Sequence, residues 1–219
     1  MAIREDFQRA RTDLEKEARR NEILDAAEDL LLKSGNERFA VSALAARVGI
    51  SKSTVFLYFG NKEEMLLAVY ERAFIRAFTQ LGDRLTEGMS GRAFCEAFID
   101  SLIEHPALLI LRAQLARTIE RSVALDSMVS SKQRILACGQ AVSDKMDRMM
   151  NLETGNGMRM LMALINLTAG AVQVDSLPYV DPDALPEDIA DLLQTVSIRN
   201  IFMSGAELIF CGATGRPFD

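Results

Sequence analysis

Apolar residues recur at helical spacing along almost the whole chain, and the sustained apolar–polar alternation that marks half-buried strands does not occur. The pattern therefore predicts an all-α protein. The first four helices are expected over about 20–34, 41–48, 52–59 and 62–81. The longer segments that follow are expected over about 90–104, 106–121, 126–150 (as one helix or two), 157–174 and 187–211, with Gly212 closing the last.

Capping residues support the boundaries of the early helices. Gly35 and Gly49 stand where a helix end favours glycine. Ser51 is a good N-cap for the third helix. Asn61, followed three residues later by Glu64, gives the fourth helix a capping-box signature.

Residues 20–66 place three short helices in succession, with Gly49 in the turn before the third, which is a helix-turn-helix pattern. In that motif the second helix of the pair enters the major groove, and its N-terminal residues meet the base edges. The third helix suits this role because Lys52, Ser53 and Thr54 can donate hydrogen bonds to phosphates or bases.

The same helix is rich in aromatic residues, and these divide between two faces. Phe56 and Tyr58 can press on sugar, phosphate or thymine methyl groups, whereas Val55 and Phe59 share a side and anchor the helix to the core. The run also contains strand-favouring residues and is compatible with a buried aromatic helix or strand. Two capped helix starts only ten residues apart make that interpretation the weaker one.

Charge is distributed unevenly along the chain. The net charge of −6 does not by itself indicate a nucleic-acid partner. Between residues 31 and 62, however, five basic side chains face one acidic side chain, a local net charge of +4, which suits a phosphate backbone. The five are Lys33, Arg38, Arg47, Lys52 and Lys62.

The chain offers little for catalysis or metal binding. Its single histidine, His105, precedes a proline at a predicted helix boundary. Cys95, Cys138 and Cys211 are far apart in apolar surroundings, so we expect free buried thiols. There is no phosphate-binding glycine loop and no pair of carboxylates in an apolar run. We therefore expect no enzyme, no cofactor and no metal site.

The sequence also argues against a membrane protein. No stretch approaches the roughly 18 uncharged apolar residues of a membrane-spanning helix. The first 19 residues are highly charged and do not form a secretory signal. We expect a cytoplasmic protein.

Residues 20–70 resemble the DNA-binding domain of the TetR family of transcriptional regulators. The resemblance rests on ILDAAEDLLLKSG (23–35), LAARVGISKSTVFLYFGNKEEML (44–66) and the trailing AVY. It implies an N-terminal three-helix helix-turn-helix domain followed by a larger α-helical bundle for effector binding and dimerisation. We place the first domain at 20–66 and the second at 67–219. Residues 1–19 are a charged, helix-prone extension, for which an exposed helix is favoured over an arm that contacts DNA.

The resemblance also implies which residues contact DNA. Thr54 matches a DNA-contacting position, and Lys62 matches a lysine that contacts phosphate. The predicted DNA-binding residues are Ser42, Lys52, Ser53, Thr54, Phe56, Leu57, Tyr58 and Lys62.

The chain departs from the family pattern at several of these positions. Ser53 stands where glycine is frequent, Phe56 where tyrosine is frequent, and Leu57 where a polar or aromatic residue is common. Ala40 occupies a position usually held by a capping Thr or Ser, so we expect Ser42 to cap a shorter second helix. These departures leave open a second interpretation, a helical interaction protein of the same fold that no longer binds DNA.

The regulatory half is expected to carry the dimer interface and an effector pocket. Members of the family are typically homodimers, mostly repressors, on palindromic operators. The last two predicted helices are apolar around most of their circumference, which favours them as the homodimer interface.

Eleven methionines suit an adjustable cavity for a small apolar effector of unknown identity. The candidate ligand-binding residues, each also compatible with ordinary core, are Phe94, Phe98, Leu102, Met128, Ile135, Met158 and Met162. Arg112, Asn166 and Gln173 are candidate polar anchors.

Overall fold

The computed structural model describes the backbone of residues 2–35, 38–112, 114–175 and 197–219, together with Pro186 and Ile189, and the side chains of these residues from Asp13 onward except at 116, 117, 174 and 175. Within these residues it is all-α, which confirms the predicted fold class. In chain order the helices are α1 (Ala2–Ser34), α2 (Val41–Val48), α3 (Lys52–Tyr58), α4 (Lys62–Arg84), α5 (Gly91–Ile103), α6 (Pro106–Arg112), a π-helical turn (Leu115–Ile119), α7 (Leu125–Met150), α8 (Asn156–Asp175) and α9 (Ile198–Thr214).

The first three helices pack around a small shared core. Ile23 and Leu31 of α1, Leu44 of α2 and Val55 of α3 are fully buried in it. Phe39, in the link between α1 and α2, is also buried. Since the apolar stripe of each short helix can be covered only by its neighbours, the three helices stabilise one another as a unit.

The turn between α2 and α3 requires glycine. Gly49 has φ +73°, and its N–H donates to the carbonyl oxygens of α2. This left-handed conformation is costly for residues with a Cβ atom. The turn therefore ends α2 abruptly and sends the chain directly into α3.

The start of α2 differs from expectation, and the predicted cap at Ser42 is wrong. The helix begins at Val41, with Ala40 as an N-cap that provides no side-chain hydrogen bond. The carbonyl oxygen of Ala40 accepts the N–H of Leu44 at 3.2 Å, and Ser42 is an exposed residue of the first turn. Burial of Val41 and Leu44, rather than a capping side chain, determines where this helix starts.

The long helix α4 connects the N-terminal helices to the rest of the chain. Near its middle, Arg72 forms ion pairs of 2.7 Å with both Asp25 and Glu28 of α1. Further along, Phe74 and Phe78 stack with ring centroids 4.0 Å apart. The helix α4 packs on α1 and also on α5, α6 and α7, so it contacts both halves of the chain.

The last helix, α9, packs closely against both α8 and α5. Phe98 of α5 stacks on Phe202 of α9 with ring centroids 5.4 Å apart. Gly205 of α9 faces Leu167 of α8 so closely that a Cβ atom would lie 2.9 Å from the leucine methyl groups. The absence of a side chain at this position allows the two helices to approach.

Several helix boundaries refine or correct the sequence interpretation. Residues 125–150 form one helix, and the segment 106–121 divides into α6 and the π-helical turn. The last helix ends at Thr214, so the predicted stop at Gly212 is wrong, and Gly215, with φ +64°, closes the helix instead. The predicted start near 187 is wrong as well: Ser197 is an N-cap in extended conformation, and α9 begins at Ile198.

Candidate nucleic-acid interface and ligand cavity

Hydroxyl groups at the start of α3 form a hydrogen-bonded cluster. Ser51 accepts the backbone N–H of Thr54 at 3.0 Å, as an N-cap does. Its Oγ also lies 2.7 Å from Ser53 Oγ and 2.8 Å from Thr54 Oγ1. The cap therefore fixes the first turn and orients two further hydroxyls that remain accessible to a polar ligand.

The two faces of α3 are clearly separated. Val55 is fully buried and Phe59 closes the helix from the core side. On the opposite face, Leu57 is 84% exposed. Lys52 places its ammonium 5.7 Å from the Phe56 ring centroid, one helical turn away. This cation–π contact, typically worth less than about 1 kcal/mol at an exposed site, biases the lysine toward the outer face.

Two further cations lie over aromatic rings at the edge of the small N-terminal core. The Lys62 ammonium is 5.5 Å from the Phe39 ring centroid, and the Arg20 guanidinium is 4.8 Å from that of Phe59. Burial lowers the pKa of Arg20, an effect that Glu71 partly opposes. The ring contacts restrict the positions of both cations. Lys62 lies beside the end of α3.

The basic segment is partly neutralised within the domain. Lys33 and Arg47 both pair with Asp29, Lys33 at 3.9 Å. Three of its basic residues form no ion pair with a described carboxylate. They are Arg38, Lys52 and Lys62. The number of unpaired basic side chains in this segment is therefore smaller than the five counted in the sequence.

The structure groups the predicted DNA-binding residues as follows. Seven of the eight lie on α3 or at the first residue of α4, and Ser42 lies exposed in the first turn of α2. Thr54, Phe56, Tyr58 and Lys62 are half-buried, whereas Ser42 and Leu57 are exposed. Contiguity in the chain is what brings most of these residues together.

A cavity of about 310 Å³ opens between α4, α6, the π-helical turn, α7 and α8. It is lined by Leu67, Tyr70, Phe74, Arg112, Leu115, Glu120, Lys132, Ile135, Leu136, Gly139, Met158, Leu161, Met162 and Ile165. A small side cavity of about 20 Å³ adjoins it and shares Tyr70, Phe74, Arg112 and Ile165 with it. The walls are mainly apolar, with a few polar groups, as is usual for small-molecule sites.

Some of the predicted ligand-binding residues lie in these cavities. Ile135, Met158 and Met162 line the main cavity, and Leu102 lines the side cavity. Met128 is half-buried near the start of α7 and lines neither of the two.

Phe94 and Phe98 lie instead in the aromatic core. Phe94 packs against Phe210 with ring centroids 6.0 Å apart, and Phe98 stacks on Phe202. Both phenylalanines are fully buried and line neither cavity.

The sequence interpretation missed the contribution of α4 to the cavity. Leu67, Tyr70 and Phe74 of α4 are not among the predicted ligand-binding residues, yet all three line the cavity. The sequence feature that could have indicated this cavity wall is the Tyr70 hydroxyl, because a tyrosine hydroxyl among apolar residues needs a polar neighbour when it is buried. That neighbour is Arg112, whose charge opposes the increase in the pKa of Tyr70 caused by burial.

The charged groups of the cavity are paired to different degrees. Glu120 and Lys132 form an ion pair of 2.5 Å. Arg112 donates to the amide oxygen of Asn166 at 3.3 Å and forms no ion pair with a described carboxylate.

A hydrogen-bonded connection runs from this cavity to the start of α4. Two residues after Glu120, the carbonyl oxygen of Ser122 accepts a hydrogen bond of 2.8 Å from the side-chain amide of Asn61, the N-cap of α4. The N–H of Ala124 donates to Glu64 at 3.3 Å. The other carboxylate oxygen of Glu64 accepts the N–H of Gly60, one residue before the expected capping-box partner.

Cys95, Cys138 and Cys211 are free thiols; Cys95 is buried and the other two are half-buried. Burial raises the pKa of Cys95 to about 12, so this thiol is unreactive at neutral pH. No cluster of potential metal ligands occurs among the described residues. None of the described helices is long and apolar enough to cross a membrane.

Two family models match successive parts of this chain. The family model described as "Bacterial regulatory proteins, tetR family" matches residues 23–69. The model described as "Tetracyclin repressor-like, C-terminal domain" matches residues 71–187, more than half of the chain.

Similar individual proteins are transcriptional regulators. The HTH-type transcriptional activator FasR of Mycolicibacterium smegmatis is 28% identical over 76% of this chain and 74% of its own length. The fatty acid metabolism regulator protein of Bacillus subtilis is 23% identical over 61% of this chain and 63% of its own length. The solved structure of the regulator SCO7222 from Streptomyces coelicolor covers 90% of this chain and 98% of its own with a TM-score of 0.51 at 23% identity, which shows a shared fold.

Proposed function

Because the chain belongs to the TetR family of transcriptional regulators, we propose that it binds a palindromic operator as a homodimer and is released from it by a small, mostly apolar effector. The observation that carries this proposal is the connection from the cavity, through Ser122 and Ala124, to the N-terminus of α4. It links a place where an effector fits to the helix that follows the candidate DNA-reading helix.

The first turn of α3 contacts base edges in the major groove. Lys52, Ser53 and Thr54 supply an ammonium and two hydroxyls at the N-terminal end of the helix, where the motif places its base contacts. Their preorganisation by Ser51 lowers the entropy lost on binding.

Neighbouring residues hold the helix against the DNA backbone. Phe56, Leu57 and Tyr58 present apolar surface to sugars and thymine methyl groups. Lys62 contacts a phosphate from the start of α4, and Ser42 donates its hydroxyl from α2. Sequence-independent phosphate contacts position the protein, whereas the first turn of α3 chooses the sequence.

The effector occupies the cavity between α4, α6, α7 and α8. Its apolar walls, with the flexible side chains of Met158 and Met162, suit an apolar molecule of adjustable shape. The similarity to a relative named as a fatty acid metabolism regulator supports an effector with an acyl chain.

Release follows from a shift in population. A homodimer reads its two half-sites only when the recognition helices are spaced by about one DNA turn, roughly 34–36 Å. An effector that prefers another position of α4 weakens DNA binding by the difference in its affinity for the two states. Glu120 lies on the cavity wall, so its displacement reaches Asn61 through Ser122.

The dimer forms through α8 and α9. Outside the core formed by Phe202, Ala206 and Phe210, α9 keeps apolar residues at or near the surface of the single chain, and Leu208 is 77% exposed. A second copy of the same two helices covers this face by two-fold symmetry. The protein acts in the cytoplasm, where it meets DNA.

Capture of genomic DNA fragments by the purified full chain tests the proposal. We expect enrichment of fragments with an inverted repeat, and a log affinity that falls by about 0.9 per phosphate contact with log salt. A chain that binds no duplex even at low salt would instead support a helical interaction protein of the same fold. A reporter gene under the captured operator then distinguishes repression from activation, the activity named for the M. smegmatis relative.

A further inference from the structure

The guanidinium of Arg112 is the least satisfied charge of the effector cavity. Arginine stays protonated at all physiological pH values. Arg112 lines both the main and the side cavity, among mainly apolar neighbours. The second cation of the main cavity, Lys132, is neutralised by Glu120, whereas none of the described carboxylates forms an ion pair with Arg112.

Some hydrogen-bond donors of Arg112 are also unused. A guanidinium carries five N–H donors. Among the described residues, one donor reaches the amide oxygen of Asn166 at 3.3 Å, another interacts with the Tyr70 hydroxyl, and the buried Nε has no partner. A charge in such surroundings is unfavourable until an anion or further acceptors reach it.

Tyr70 supplies a second donor beside the guanidinium. It lies on α4 and lines the same two cavities as Arg112. Burial raises the pKa of its hydroxyl, and the neighbouring Arg112 charge only partly opposes this. Tyr70 therefore keeps its proton at neutral pH and can donate a hydrogen bond.

We propose that the effector is an amphiphile with one carboxylate, which binds Arg112 and the Tyr70 hydroxyl while its apolar part lies along Ile135, Met158 and Leu161. A carboxylate pairs with a guanidinium through two parallel hydrogen bonds, and the donors left unused by the protein permit this arrangement. The inference rests on the proposed function, because it assigns the chemical class of the effector of that same cavity.

The cavity is accessible to such a molecule. Leu136 and Met162 line it while remaining 56% and 48% exposed, so its mouth opens between α7 and α8. An apolar chain can enter between these two side chains without unfolding of a helix.

Calorimetric titration of the full chain with dodecanoate and with dodecanol tests the inference. The two probes share one chain and differ in charge. We expect dodecanoate to bind at least about tenfold more tightly, as a hydrogen-bonded charge contributes. In Arg112→Met the preference should fall to within about twofold, with the affinity for dodecanol retained; Arg112→Lys should keep part of it.

The possible outcomes are distinguishable. Equal affinity of the unchanged protein for both probes would overturn the carboxylate site and leave the apolar cavity of the proposed function standing. Binding of neither probe would overturn both. A preference that persists in Arg112→Met would also overturn the assignment of Arg112. If the methionine variant does not fold, the comparison of the two probes on the unchanged protein still shows whether the cavity prefers a carboxylate.

Discussion

Lys62 is the side chain at which the proposed phosphate contact can be tested most directly. Its ammonium rests over the Phe39 ring, beside the end of α3, and forms no ion pair with a described carboxylate. We expect Lys62→Ala to weaken binding to all duplexes alike and to reduce the slope of log affinity against log salt by about one unit. Fluorescence anisotropy at several salt concentrations measures the slope.

Lys62→Arg is the matched control, because it keeps the charge and the contact with the aromatic ring. Its slope should equal that of the unchanged protein. An alanine variant with an unaltered slope would show that Lys62 does not contact a phosphate.

A larger side chain introduced at Gly139 would fill the main cavity. It lies on α7, lines the main cavity, and a Cβ atom there would be 3.9 Å from Leu161 and Met158, an ordinary contact. Gly139→Ala should therefore stabilise the helix by roughly 0.5–1 kcal/mol. Gly139→Leu should occupy the cavity, leave DNA affinity unchanged and abolish dodecanol binding, as measured by calorimetry.

At the scale of residues, the grouping of the candidate DNA-binding residues was predictable from the sequence, whereas the membership of the cavity was predictable only in part. Lys52, Ser53 and Thr54 lie on one short helix, so their proximity follows from adjacency in the sequence. The cavity combines residues of α4, α6, α7 and α8, and its membership depends on how these helices cross. A methionine such as Met158 and a phenylalanine such as Phe94 carry equivalent apolar patterns, yet only Met158 lines the cavity.

The Ser51 N-cap stabilises the first turn of α3. Ser51→Ala removes the acceptor for the Thr54 N–H and the hydroxyl contacts to Ser53 and Thr54. We expect a loss of about 1 kcal/mol in the free energy of unfolding, measured by urea denaturation. Ser42→Ala is the matched control, because α2 is not capped by a side chain, and its effect should be close to zero. Equal losses in the two variants would contradict the structural role of the cap.

Asn61 combines two functions at the start of α4 that can be separated. Its side-chain oxygen caps the helix by accepting the Glu64 N–H at 2.7 Å, and its amide donates to Ser122. Asn61→Ser keeps a capping oxygen and loses the donor that reaches Ser122. We expect near-normal DNA affinity without effector and a weakened release by dodecanoate, measured by anisotropy.

Asn61→Ala loses both functions and should reduce stability as well as the response. A serine variant that responds to the effector as fully as the unchanged protein would show that coupling does not pass through Ser122.

At the scale of elements, a helix start was predictable where a capping residue or a proline marks it. Ser51, Asn61 and Pro106 mark starts through local chemistry that operates within one turn. The end of α9 was misplaced because Gly212 and Gly215 are equally plausible stops in the sequence. Only Gly215 adopts the left-handed conformation and donates to Cys211. Packing of Phe210 in the core carries the helix past Gly212.

The whole chain is acidic, and the basic side chains proposed to meet DNA lie near α3. The charge of −6 is a property of the whole chain, whereas the free cations near α3 are few. Two copies would place two such surfaces side by side, which roughly doubles the phosphate contacts and the salt dependence. Under the proposed function, DNA affinity depends on the dimer, and the proposed interface makes the dimer depend on α8 and α9.

Leu208 offers a test of that interface without damage to the core. Removing everything after residue 150 would also delete Met160, Leu164 and Phe202, which are buried within the single chain, so loss of the dimer could reflect unfolding. Leu208→Glu changes an exposed side chain of α9 instead. A charge without a partner in an apolar interface should weaken dimerisation at least about tenfold.

Sedimentation velocity across a concentration series measures this effect, with Leu14→Glu as the control at another exposed leucine, 68% exposed on α1. The control should remain dimeric, whereas Leu208→Glu should sediment as a folded monomer with unchanged helix content. It should also lose most of its operator affinity, since one recognition helix reads only half of a palindrome. A Leu208→Glu protein that stays dimeric would place the interface on another surface.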